Sequence, residues 1–314
     1  MKKSIVIFVT ILLALFFCCE LKASTVQKSI IPAEADWVIH FDLEKFAATQ
    51  IGEYLLNEEG TVKLKKKSNQ FEKRYKIDIL EDIDGITVFG FGKTEKKTVV
   101  CLKGNFDRDY LLGLLAEEES HREIPYGKYT IHNWDSHEYG VFADEHLACL
   151  GPNEEVIKLT LDVIVGKKAN IASSPMNSYI NEIPSHAFFA AMAKDISALA
   201  EEASKVFIIK KTESALFTLA EEKENLNILL NFSVKTLEDA KNMESVVRGL
   251  ISLANMQLGE SHKEIRIPED IKIETKGQKV LIEINYPTKS LLDLALGKAN
   301  FPSFYLLGAL KHLP

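Results

Sequence analysis

Cysteine is scarce in this 314-residue chain, with four residues in all, and two of them, Cys18 and Cys19, fall inside an N-terminal apolar run. That excludes a small disulfide-dense scaffold and any cysteine-rich zinc module. Catalytic signatures are also missing: there is no G-x-S-x-G and no H-E-x-x-H. Phe91-Gly92-Lys93-Thr94 ends like a phosphate-binding loop, but Thr87 stands where that loop needs glycine, and the residues that follow read as a strand and not as a helix. No excess of positive charge is present either. Lys and Arg number 38 against 45 Asp and Glu, for a net charge of −7, which disfavours nucleic acid and anionic lipid surfaces as partners.

What is present is the composition of a folded protein, 46% hydrophobic and 26% charged, long enough for about two domains at roughly 150 residues each. Lys2 and Lys3 precede an apolar run over residues 5–19, and Ala23 supplies a small residue where signal peptidase cuts. Residues 1–23 therefore read as a secretory signal peptide cleaved after Ala23. The run is shorter than the roughly 20 residues a spanning helix needs, so no transmembrane segment is expected in the mature chain. Retention as an anchor and acylation of Cys18 or Cys19 are the alternatives, although the bulky Phe17 before Cys18 opposes the second. Cleavage removes Lys2, Lys3, Lys22 and Glu20 from those totals and leaves a net charge of −9. The protein is expected to be exported, periplasmic or secreted, with an envelope or extracellular partner. Of the remaining cysteines, Cys101 and Cys149 each sit in an apolar strand-like run; pairing and separate burial as small hydrophobes both remain open.

Along the chain, residues 36–43 alternate with period two, placing Trp37, Ile39, Phe41 and Leu43 on the apolar face. A helical stretch follows to about residue 75. Strands are expected at 86–91, 98–103, 128–134 and 139–150, with Asp107 capping a helix between the second and third and Pro152 opening another over 154–165. Residues 169–184, rich in Ser and Pro, read as a linker. Beyond it a second series begins: a strand at 186–193, a helix over 196–209, strands at 214–219 and 226–234 across a charged turn, and a helix capped by Thr236. A hairpin turning at Gly277 and a helix over 289–296 complete it. The same order of element types in residues 24–168 and 185–314 points to an α+β duplication, two similar split βαβ (ferredoxin-like) units with antiparallel sheets and helices on one face.

The stretches PAEADWVIHFDLEKFAATQIGEYLL (residues 32–56) and IDILEDIDGITVFGFG (residues 77–92) resemble the opening of a group of uncharacterised secreted bacterial proteins. These share a signal peptide, an Ala-Asp…His-x-Asp strand leading into a helix, and an Asp-Ile-Asp-Gly-Ile-Thr entry into the second strand. The resemblance implies an exported α+β protein and carries no functional residues.

The densest collection of potential ligands is His132, Asp135, His137 and Glu138, four within seven residues. Imidazole and carboxylate groups flanking a hairpin turn can converge on zinc, with His40 and Asp42 as further polar groups on the first strand. An ordinary polar turn is the other reading of the same residues. Lys63, Lys65, Lys66, Lys67, Lys73, Arg74 and Lys76 form a basic stretch, read as a solvated helix face. Phe301, Phe304, Tyr305, Leu306, Leu307 and Leu310 make the C-terminus apolar. No cofactor is implied. The leading expectation is a non-catalytic protein that binds or assembles through a sheet face or the groove between its halves; the alternative is a metal-dependent hydrolase built on His132 and His137.

Overall fold

The structure, a computed structural model, describes residues 26–57, 72–79, 81–92, 97–194, 196, 211–261 and 271–295. The leader with Ala23, Cys18 and Cys19, the lysines at 63–67, the helix expected over 196–209 and the apolar C-terminus lie outside these residues. The chain is α+β and divides into two compact units, residues 1–191 and 192–314. Among the described residues no helix is long and apolar enough to cross a membrane.

The first unit opens with β1 (Trp37–Asp42), α1 (Leu43–Ala47) and α2 (Gln50–Asn57). Asp42 ends the strand and starts the helix, because its carboxylate accepts the Lys45 backbone N–H at 2.9 Å. The period-two alternation of β1 is real, but its more polar face is the more deeply buried one. Val38, His40 and Asp42 are buried, whereas Trp37 and Ile39 are half-buried. The polar members are partnered within the interior: His40 Nδ1 lies 3.0 Å from Thr87 Oγ1, and Asp42 meets Lys45 at 3.0 Å.

Next come β2 (Ile83–Gly90) and β3 (Thr98–Gly104), then α3 (Arg108–Ala116), whose Asp107 cap accepts Tyr110 N–H at 3.0 Å. The β1–β2 register is set where Trp37 faces Gly90. A Cβ on Gly90 would lie 2.4 Å from the indole, so only glycine lets the ring cross the neighbouring strand. Four further strands follow, β4 (Arg122–Tyr126), β5 (Tyr129–Asp135), β6 (Glu138–Asp144) and β7 (Leu147–Gly151), and then α4 (Glu154–Ile164). In α4 Asn153 caps Val156 N–H, and Val156, Ile157, Leu161 and Val163 are buried.

Residues 169–184 do not form a linker. They hold a 3₁₀ turn, Ile171–Ser173, and α5 (Asn177–Glu182), and Ile171, Met176 and Tyr179 are core residues. Ile171 N–H donates to Ile31 O and Ala33 N–H to Ala169 O, so the segment is stitched to the beginning of the unit. β8 (Ala187–Lys194) follows, and its Phe188 packs 5.3 Å from Phe46 and 6.3 Å from Phe41, ring centre to ring centre.

The second unit contains β9 (Thr212–Glu222), β10 (Asn225–Val234), α6 (Leu237–Ser261), β11 (Lys272–Lys276), β12 (Lys279–Pro287) and α7 (Thr288–Ala295). Thr236 caps α6 through Asp239 N–H. Val234, Ala240, Met243, Ile273, Val280 and Ile282 form its core.

The pairs β1–β2, β2–β3, β3–β7, β6–β7, β5–β6 and β4–β5 of the first unit are all antiparallel, as are β9–β10, β10–β12 and β11–β12 of the second. The two units share a motif. In each, a hairpin, a helix and a second hairpin are arranged so that the last strand returns beside the second, giving the orders β2-β3-β7-β6 and β9-β10-β12-β11. The first unit adds the hairpin β4–β5 outside β6.

Cys101 and Cys149 are paired. They face each other in the β3–β7 register with Cα atoms 4.2 Å apart, and both are fully buried. Replacing both by alanine is expected to lower unfolding free energy by about 2–5 kcal/mol in urea denaturation, and an unchanged midpoint would contradict that role. In the β9–β10 turn, Lys223 and Glu224 both adopt positive φ, 50° and 66°, the twin left-handed geometry of a type I′ turn that favours glycine. Glu224→Gly is therefore expected to raise stability by about 1 kcal/mol; a lowered midpoint would show that the turn is not strained.

Candidate functional site

Two of the four hairpin residues singled out in the sequence are engaged locally, and a third faces solvent. Asp135 Oδ1 accepts the Ser136 N–H at 2.6 Å, Glu138 accepts the Trp134 indole N–H, and His137 is exposed at the turn. The fourth, His132, is buried in β5 and turns to other partners. Its Nδ1 lies 3.1 Å from His121 Nε2 and 3.9 Å from a carboxylate oxygen of Glu123. Among the described residues, His121, Glu123 and His132 are the group of imidazole and carboxylate side chains close enough to share one metal ion, with ligand atoms within 4.8 Å of one another.

Local folding explains the convergence. Tyr126 pairs with Tyr129 across a two-residue turn whose first central residue, Gly127, has φ 62°, a position that suits glycine. Counting back from that turn brings Glu123 directly opposite His132. His121, two residues before Glu123, belongs to the same side of the extended chain by the period-two rule. Ser120 ties the approach down by donating its hydroxyl to Trp134 O. On the other side of β5, His132 faces Gly140.

The two imidazole rings are nearly parallel, at 11°, with centroids 5.4 Å apart. That separation is about the N···N distance plus two ring radii, so the rings meet edge to edge with nitrogen facing nitrogen. At that distance one ring donates an N–H and the other accepts it. Burial holds the His132 pKa below its ordinary value, His121 and Arg108 lower it further, and Glu123 opposes them. Arg108 itself lies over the Phe142 ring, 5.6 Å from its centroid. The arrangement places two imidazole nitrogens beside an exposed carboxylate.

A second feature is a cleft of about 230 Å³ lined by Lys28, His40, Lys45, Ile180 and Phe189, among others. Three of its polar side chains already have partners. Lys28 donates to Asn177 and Asn181 at 2.6 and 2.7 Å, Lys45 pairs with Asp42, and His40 meets Thr87. In α1, Glu44 is 5% exposed, with one carboxylate oxygen lacking a hydrogen-bond partner. Burial raises the Glu44 pKa, and the charges of Asp42 and Asp84 raise it further against Lys103 and Lys45.

The sequence matches no family model and no curated protein. Its fold is similar to solved structures of TP0453. Crystal form III of that protein superposes with a TM-score of 0.52 at 11% identity, covering 87% of this chain and 99% of the other. Crystal form I gives 0.50 at 12% identity, covering 89% and 100%. At such identity the likeness is one of fold.

Glu44 generates a pH prediction. Its folded-state pKa lies above the unfolded value, so between the two the native state binds more protons and stability rises as pH falls through that window. Glu44→Gln is expected to be more stable than the parent at neutral pH, with the gap closing as the solution is acidified toward pH ~4. A variant less stable at neutral pH, with an unchanged pH slope, would contradict this.

Proposed function

We propose that the chain is an exported protein, periplasmic or secreted, that acts by binding or assembly with an envelope or extracellular partner and not by catalysis. The observation that carries this reading is the buried Cys101–Cys149 disulfide. Structural disulfides persist in oxidising compartments and are rare where glutathione and thioredoxin keep thiols reduced. It concurs with the leader-like residues 1–23 ending at Ala23. The negative net charge supports partners other than nucleic acid. The shared order of the two four-strand motifs supports an internal duplication, a repeated scaffold on which one copy carries an extra hairpin.

A hydrolase centred on His132 and His137 is the weaker reading. Asp135 and Glu138 are engaged within the turn, and His132 faces His121 and Glu123 instead.

Intact-mass analysis of the protein recovered from outside the cytoplasm, with and without thiol alkylation under denaturing conditions, tests the proposal. A chain beginning at Ser24 with no alkylatable thiol is expected. Retained Met1, an acyl group on Cys18 or Cys19, or two free thiols would contradict the soluble, exported, disulfide-bonded form.

A further inference from the structure

We propose that His121, Glu123 and His132 form a binding site for a divalent transition-metal ion, with zinc the best fit. This goes beyond the binding role above by naming a ligand, and it rests on three side chains and not on the compartment.

The donor set is two imidazole nitrogens and one carboxylate, a combination zinc accepts while leaving a fourth position for water. His132 presents its imidazole from a buried position in β5, and imidazole nitrogen is an ordinary zinc ligand. The N···N distance of 3.1 Å is close to the ~3.3 Å separating two nitrogens at zinc–nitrogen bond lengths in a tetrahedral site. For a metal ion to take the place of this contact, the ring that carries the N–H there moves that proton to its other nitrogen, and the rings swing so that their lone pairs converge on the ion, with no net proton released. Glu123, on an exposed side chain, has the freedom to close from 3.9 Å onto the ion. Its negative charge offsets the nearby Arg108, which is held against Phe142. Magnesium and calcium fit poorly, because they take six or more oxygen ligands; the nitrogen-rich set suits zinc and the metals near it in the Irving–Williams series.

The placement strengthens the inference. All three residues belong to the β4–β5 hairpin and its approach, the element by which the first unit exceeds the strand order it shares with the second. The shared scaffold forms without them in the second unit.

Isothermal titration of zinc chloride into the chelator-treated full chain, with thermal unfolding alongside, tests the site. One equivalent of zinc is expected to bind with a rise in Tm, and calcium to give none. His121→Ala and Glu123→Gln, at positions that are not deeply buried, are each expected to weaken zinc binding by at least ~10-fold, and Glu123→Gln to do so without lowering the Tm of the metal-free chain. His137→Ala is expected to bind as the parent does. Absence of stoichiometric binding would overturn the proposal, as would binding that survives the His121→Ala, Glu123→Gln double variant or that is lost in His137→Ala. None of these outcomes alters the mass analysis of the exported chain, so the two proposals fail separately.

Discussion

The pairing of β3 with β7 is the constraint on which the first unit depends. β3 closes the hairpin that begins with β2, and β7 closes the one that begins with β6, so this ladder is where two local structures become one sheet. Its strands are separated by some 48 residues, counted between the cysteines, so forming it costs more chain entropy than either hairpin. The Cys101–Cys149 bond removes much of that cost by holding the ladder closed in the unfolded chain as well. The second unit makes the corresponding pairing, β10 with β12, by register, apolar packing and a cross-strand hydrogen bond from Asn227 Nδ2 to Asn285 Oδ1.

A closed β3–β7 ladder leaves the intervening residues as an excursion that starts and ends on the same rigid edge. α3 and the β4–β5 hairpin occupy that excursion, and they are where His121, Glu123 and His132 meet. An inserted hairpin on a stable sheet is a suitable carrier for a ligand site, because its side chains can be arranged without disturbing the core that supports them. The local turn chemistry does the arranging: a tight turn at Gly127 sets the register, and the register sets which carboxylate faces which imidazole.

Much of the scaffold was legible in the sequence because its signals are local. Asp107 and Thr236 each accept a backbone N–H three residues on, and Gly277 takes the positive φ its hairpin requires. β4 was missed because Arg-Glu-Ile-Pro-Tyr has no buried residue to mark a face. The burial of His40 and Asp42 was missed because polar groups go inside when partners await them, and those partners are set by tertiary structure. Residues 169–184 looked like a linker because their core contributions, Ile171, Met176 and Tyr179, follow no period. The site was half visible. The sequence marks His132, but its companions stand across the strand and not among its neighbours in sequence; the Gly127-Lys128 turn puts Glu123 opposite it by counting.

The central claim is that one inserted hairpin carries a ligand site on a scaffold that does not itself respond. Backbone amide hydrogen exchange of the full chain, with and without one equivalent of zinc, tests it most directly. The account predicts slower exchange confined to residues 120–133, with β2, β3 and β7 unchanged. Protection elsewhere, or none in the hairpin, would contradict it.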